Sequence, residues 1–134
     1  MAKTTDKEAK QPDIQLIANV VVRRGDEVLL VRHDPGDEVW WLPGGDLQPY
    51  EHPDDAAKRV LADIPGLKIS APKMVNVESF RGRRGWHVMF NYLVDAAGEP
   101  KGNISATWHK AAKLPRTKHG NWEQSTIAAV LSAK

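Results

Sequence analysis

Apolar and polar residues follow two different periods along this chain, and the switches between them predict the elements. Residues 14–23 are β-branched and apolar, which predicts a first strand. Gly25-Asp26 turns the chain. Residues 27–33 (EVLLVRH) follow as a second strand, apolar on both faces at its middle and so buried within a sheet. In Asp34-Pro35-Gly36-Asp37 the proline presets one dihedral and the glycine accepts positive φ, so a turn is expected. Val39–Leu42 reads as a short third strand closed by Pro43. From Pro53 to Asp63 the period becomes helical: proline suits the first turn, Asp54 and Asp55 suit the positive end of the helix dipole, and Pro65-Gly66 stops the element.

Period two then returns. Lys68–Arg81 predicts a strand, clearest over Met74–Phe80, with a hairpin connection at residues 82–85. In Trp86–Asp95 the residues Trp86, Val88, Phe90, Tyr92 and Val94 share one face, and His87, Met89, Asn91 and Leu93 the other. Ala97–Gly102 reads as a loop, Ser105–His109 as a strand and Leu114–Gly120 as irregular. A last helix is expected over Asn121–Ala133, with Asn121 as N-cap. Strands, one helix, more strands and a final helix describe an α+β domain layered α/β/α around a mixed sheet. Residues 13–134 form that single domain, after a polar, flexible tail over residues 1–12.

Composition narrows the chemistry. At 134 residues the chain buries about two-thirds of its unfolded surface and needs no staple. It has no cysteine, which excludes disulfides, thiolate zinc sites and thiol catalysis. No apolar run reaches membrane-spanning length, and the N-terminus lacks a signal-peptide core, so a cytoplasmic protein without a membrane partner is expected. Nineteen basic against 17 acidic residues give a formal charge of +2, too balanced for a specific nucleic-acid binder. The one dense basic cluster, Arg81-Gly82-Arg83-Arg84, has two readings, a solvated hairpin turn and a phosphate contact. Five histidines show no metal-ligand spacing.

The candidate chemistry lies between Gly44 and Leu67 (GGDLQPYEHPDDAAKRVLADIPGL). Strand, glycine loop and acidic helix is a layout that holds a metal and a phosphate. Gly44-Gly45 is either a backbone nest for an anion or a tight turn. Glu51 and Arg59 are placed to pair across the loop–helix junction, as a latch or as catalytic groups. Trp40 and Trp41 point to opposite faces of a strand, one into the core and the other free to stack on a base.

With Gly45, then Glu51 after five residues, Arg59 after seven more, and Leu61, Gly66 and Leu67 in step, the chain resembles the Nudix superfamily. Trp41-Leu42-Pro43-Gly44-Gly45 strengthens the likeness. The resemblance implies a Nudix-like α/β/α sandwich and hydrolysis of a nucleoside diphosphate linked to another moiety, with Mg²⁺ or Mn²⁺. It implies Glu51, Arg59 and Asp63 as catalytic residues and Gly44, Gly45, Trp41 and His119 against a nucleotide-type ligand. Metal would fall to Asp63 and Glu51. Glu78, mid-strand on the face of Met74, Asn76 and Phe80, is a replacement carboxylate if that face looks into the cleft. A homodimer is a further expectation from the family alone.

The departures bear on the chemistry more than the matches do. Where the family places glutamates, this chain has Val60 and the pair Asp63-Ile64, and Asn103 stands where many members carry another acid. Positions 60, 63 and 64 share one helix face, where three carboxylates would form a hard oxygen site for Mg²⁺ or Mn²⁺. Each missing carboxylate costs about 3–4 kcal/mol of transition-state stabilisation by analogy with a deleted oxyanion donor, or roughly 10²–10³ in rate. The expectation is therefore a divergent hydrolase that is weak or substrate-restricted. The alternative is a catalytically inactive Nudix domain that binds a nucleotide or another protein. On that alternative Val60 and Ile64 either extend the helix's core stripe or line an apolar groove.

Overall fold

The computed structural model describes residues 13–34, 36–83, 85–102 and 105–133. Among them the chain forms β1 (Ile14–Arg24), β2 (Glu27–Arg32), β3 (Gly44–Asp46), α1 (Pro53–Ala62), β4 (Leu67–Ile69), β5 (Lys73–Gly82), β6 (Gly85–Gly98), β7 (Ser105–Lys110) and α2 (Asn121–Ser132). β1 and β6 run parallel at the centre, in register from Ile14 opposite Trp86 to Arg23 opposite Asp95. β2 turns back from β1 through Gly25, whose φ of 61° is the left-handed region that glycine tolerates, and it carries β7 antiparallel on its other edge. β5 and β6 form a hairpin that closes at Gly82 and Gly85, with a register shift between Met74 and Asn76. β4 pairs with the end of β6 and β3 with β1. The sheet is mixed, as the order of elements predicted.

The alternation in β1 and β6 assigns the two faces. Ala18, Val20, Val22, Tyr92 and Val94 meet Ala56, Ala57, Val60, Leu61 and Ile64 of α1 and its C-terminal end in one buried cluster. Val21, Val28, Leu30 and Leu42 meet Ile127 and Val130 of α2 in another. The helices therefore cover opposite faces, and the layered α/β/α architecture holds. In α1 the buried residues recur every three to four positions, the stripe of a helix lying on a sheet. No helix among the described residues is long and apolar enough to cross a membrane.

Five local expectations change. Val39–Leu42 is not a strand; it makes single bridges at Trp40 and Trp41, and the strand lies at Gly44–Asp46 instead. Gly44 is needed for close approach rather than for a turn, since a Cβ there would meet Asn19 Oδ1 at 2.5 Å and Ala18 O at 2.9 Å. The Lys68–Arg81 strand divides into β4 and β5, and β6 runs on to Gly98 where a loop was expected. The N-cap of α2 is Gly120 with φ 65°, and Asn121 is the first helical residue. The tail over residues 1–12, Pro35, Arg84 and Asn103 lie outside the described residues.

Candidate functional site

Glu51 is the fastener of the loop in the box, the stretch from Gly45 to Leu67 that carries the matched spacing. Arg59 donates to both its oxygens, Nε at 3.0 Å and Nη2 at 2.8 Å, and the Gln48 amide donates a third bond at 2.9 Å. Arg59 Nη2 also donates to the Asp46 carbonyl at 2.9 Å, so one guanidinium ties β3, the loop and α1 together. Arg59 beside it and the Gln48 amide lower the Glu51 carboxyl from its ordinary 4.5 to about 2. The loop reaches this geometry through a turn closed by Glu51 N–H to Gln48 O at 2.9 Å. Tyr50, fully exposed, holds φ 65° in that turn. Positive φ in a bulky residue is a strained conformation, and here it flanks the box.

The positions that would carry the metal behave differently. Val60 and Ile64 are 8% and 5% exposed and belong to the core cluster with Ala56, Ala57 and Leu61. They extend the core stripe, so α1 offers no apolar face for a partner protein there. Asp63 caps the helix end, exposed. Glu78 lies on the other face of the sheet. It accepts from Asn91 Nδ2 at 2.7 Å and from Thr126 Oγ1 of α2 at 3.1 Å, and so tethers α2 to β6. The structure thus brings Glu51 and Arg59 together, leaves Asp63 apart from that pair's hydrogen bonds, and separates Glu78 from all three. Mg²⁺ or Mn²⁺ takes six ligands in octahedral geometry, several of them commonly water or substrate phosphate. No group of three metal-ligating side chains exists among the described residues. One free carboxylate and one latched carboxylate do not fit a resident ion.

Three depressions join along one path. The first, about 450 Å³, lies over the box and is lined by Arg32, His33, Gly44, Gly45, Val60, Asp63 and Ser105 among others. Arg32 is fixed there by bonds to Ser105 Oγ (3.3 Å) and Asp37 O (3.1 Å) and by the Trp40 ring 4.3 Å below its guanidinium carbon. The second, about 400 Å³, shares His33, Gly44 and Gly45 with the first and adds Asn19, Trp41, Met89, His119 and Trp122. The third, about 840 Å³, shares Ile17, Trp41, Met89, His119 and Trp122 with the second and continues to Phe80, His87, Arg83 and Lys118.

The middle of this groove is aromatic. Trp41 meets His33 edge-on at 4.4 Å and His119 at 5.4 Å, and His119 meets Trp122 at 5.7 Å. Trp40 instead packs on the α2 cluster and against His109, which decides the question left open by the tryptophan pair. His119 is held by Glu123, a carboxylate 1% exposed that accepts from His119 Nδ1 at 2.7 Å and from the His119 amide at 3.1 Å. That bond fixes the ring, with Nδ1 toward Glu123. Below the groove, buried Asn19 donates to buried Asn91 at 3.2 Å, and Asn91 donates to half-buried Asn76 and Glu78, a polar network that sets the floor.

Glu123, Arg32, His33 and Trp122 were not singled out from the sequence. A signal for Glu123 existed: with Gly120 as N-cap it stands three residues on, the position from which a glutamate reaches back to the helix start. Placing the cap at Asn121 hid it. Arg32 and His33 carried no comparable signal, because only the fold brings the end of β2 beside α1.

Comparison with known proteins agrees with this geometry. The model of the NUDIX domain matches residues 13–130. Diphosphoinositol polyphosphate phosphohydrolase 3-alpha of Mus musculus is 39% identical over 54 residues, 40% of this chain and 33% of that protein, so the match spans one third of the mouse relative. Among solved structures, a UDP-X diphosphatase superposes with a TM-score of 0.73 at 15% identity, over 98% of this chain and 70% of the other. A MutT NUDIX hydrolase from Burkholderia pseudomallei gives 0.67 at 20% identity, over 91% and 99%. An ADP-ribose pyrophosphatase from Streptococcus suis gives 0.68 at 21%, over 87% and 89%.

Proposed function

This chain belongs to the NUDIX family, and we propose that it binds a nucleoside diphosphate derivative along the groove and hydrolyses it far more slowly than a domain with a full acidic box. The observation that carries the proposal is the burial of Val60 and Ile64 in the core, 8% and 5% exposed. Members of the family generally hydrolyse with a divalent cation. Such an ion neutralises diphosphate charge and activates water, and it needs more carboxylates than Asp63 supplies. The lining of the groove supports the binding half of the proposal. Arg32, Gly44 and Gly45 line the box end for phosphate, and Trp41, His119 and Trp122 line the aromatic middle for a base.

Thermal unfolding with nucleoside triphosphates, nucleoside diphosphate sugars and dinucleoside polyphosphates tests binding, in chelator and again with Mg²⁺ or Mn²⁺. Phosphate release is followed in the same samples, beside Asp63→Ala. A ligand at a hundred times its dissociation constant adds about 2.7 kcal/mol of stability, and we expect that gain to persist in chelator. Fast metal-dependent turnover that Asp63→Ala abolishes would overturn the slow-hydrolase assignment. No stabilisation by any ligand would overturn binding. The homodimer expected of the family has a candidate face in Ile14, Leu16, Val77 and Trp86, each 40–50% exposed; sedimentation of the parent beside Val77→Lys decides it.

A further inference from the structure

We propose that Asn19 reads the ligand through its amide oxygen, and that Glu78, two strands away, fixes which way that amide points. The groove then selects a base that carries an amino group at its inner edge. The inference rests on the binding proposed above and adds the residue that sets its specificity. Its starting point is a row of side chains. Asn19 of β1 stands opposite Gly44 of β3 and opposite Asn91 of β6, and Asn91 stands opposite Asn76 of β5. Four strands, each paired with the next, thus carry three asparagines and a glycine in one line. Glu78, two residues along β5, shares the face of Asn76.

Hydrogen bonds give the row a direction. Asn91 donates from Nδ2 to Glu78 Oε1 at 2.7 Å and to Asn76 Oδ1 at 2.8 Å. Its own Oδ1 accepts from Asn19 Nδ2 at 3.2 Å. Asn19 Nδ2 also reaches Met89 Sδ at 3.6 Å. Three amides alone hold together equally well when all are reversed, since each donates at one end and accepts at the other. Glu78 removes that freedom, because a carboxylate only accepts. The same Oε1 accepts from Thr126 Oγ1 at 3.1 Å. Reversing Asn91 would set oxygen against oxygen at Glu78, and reversing Asn19 would do the same at Asn91. The polarity therefore runs from Glu78 through Asn91 to Asn19.

The last atom of the row is Asn19 Oδ1. A Cβ on Gly44 would meet it at 2.5 Å, so it lies against the glycine strand, where Asn19, Gly44, Trp41 and Trp122 line one depression. No donor among the described residues bonds to it. The sealed side-chain atoms without a partner among those residues are His87 Nε2 and His109 Nε2. Asn19 Oδ1, unpaired but not sealed, is therefore open to the groove. Asp46 adds a second acceptor to the same depression. A base lying on the Trp41 surface with an amino group over Gly44 supplies the missing donor. A base without one leaves the oxygen dry and unpaired, and discrimination arises from that difference.

Calorimetric titration of the full chain tests this with pairs of nucleoside 5′-diphosphates that differ by one amino group. The pairs are ADP with purine riboside diphosphate, GDP with IDP, and CDP with 2-pyrimidinone riboside diphosphate. In at least one pair the amino member is expected to bind about tenfold tighter or better, the discrimination of a site whose acceptor is otherwise left unpaired. In Asn19→Ala the members of that pair should bind alike. Glu78→Gln keeps the side chain's size but lets it donate, so the row can run either way and the preference should shrink. NMR of the unliganded protein reads the orientation itself. The Asn19 side-chain NH₂ should show contacts to the Met89 methyl and none to the Gly44 Hα, and in Glu78→Gln contacts to both. Equal binding within every pair, a preference that survives Asn19→Ala, or NH₂ contacts to Gly44 in the parent overturns the assignment of Asn19. A preference and an orientation unchanged in Glu78→Gln overturn the role of Glu78. Absence of binding by every nucleotide removes the binding reading and the ligand class with it, while the NMR contacts still decide the polarity of the row.

Discussion

Val60→Glu with Ile64→Glu restores the acids that the family places on this helix, and the structure gives the cost. Both side chains are nearly sealed in the cluster that joins α1 to β1 and β6. Each replacement forfeits about 1.5–3 kcal/mol of apolar burial. Helix propensity returns only a few tenths of a kcal/mol, and only at Val60, because glutamate is the better helix former and Ile64 lies beyond the end of α1. The pair therefore costs about 3–6 kcal/mol, a large share of the roughly 5–15 kcal/mol that holds a domain together. In chelator, Ile64→Glu alone should lower Tm by about 6–12 °C at the sensitivity expected for this size. Both positions border the cavity over the box, so the new carboxylates can reach it beside Asp63. With Mg²⁺ or Mn²⁺ at a hundred times its dissociation constant, the double variant should regain about 2.7 kcal/mol. The parent should not respond, and Asp63→Asn in the double background should remove the response. Calorimetry in chelator and in each metal reads all of this. A double variant as stable as the parent in chelator would refute the core assignment. A destabilised variant that ignores metal would show that the cavity cannot assemble the site.

Other predictions test the parts around it. The folded state holds the Glu51 carboxyl below its ordinary 4.5, at about 2, so its stabilisation is complete above pH 4.5 and is lost as pH falls toward 2; Glu51→Gln should flatten that segment of the urea-stability profile. Gly44→Ala drives a methyl into Asn19 and the Ala18 carbonyl and should cost about 1–3 kcal/mol in denaturant unfolding. His109 is held below its ordinary 6.5 by burial, with Arg32 adding to it. Stability should therefore decline below pH 6.5, as the unfolded chain takes up a proton that the folded one refuses, and His109→Phe should weaken that decline. Glu123→Gln should release the His119 ring, seen by NMR as loss of the single Nδ1–H tautomer.

The sequence was most legible where one local rule acted alone. Alternation in Trp86–Asp95 assigned both faces of β6, and the spacing of Glu51 and Arg59 foretold a pair that the structure closes with two bonds. Composition and periodicity gave α1 nearly to the residue. Long-range contacts were harder. Gly44-Gly45 carries the local signature of a turn, yet it is a strand because Asn19, far back in the chain, leaves no room for a side chain. Glu78 shares its strand face with Asn76 as expected, but only the sheet shows that this face belongs to α2 and not to α1. The groove itself draws on β2, β3, β6 and the approach to α2, and no stretch of sequence holds more than a part of it.

The kept and altered positions of the box divide along a physical line. Glu51 and Arg59 hold the loop on the helix. At Gly45 a Cβ would meet only a Val60 methyl at 3.6 Å, an ordinary contact, so the fold leaves room for a side chain there. Gly66 holds φ 100°, and a Cβ there would strike the Glu99 carbonyl at 2.6 Å. Leu61 is core. Apart from Gly45, each conforming residue among these answers a demand of the fold, whether or not anything is bound. The departures, Val60 and Ile64, fall where the family's residues would serve a cation, and each replaces a charge that is expensive to crowd with others by a side chain that adds to the core. A box that retains its fastening and exchanges its ligands for packing remains a good scaffold for a groove. It is the arrangement expected on the proposal of slow hydrolysis, since binding would draw on Arg32 and the aromatic wall, while fast hydrolysis would draw on the acids this helix lacks.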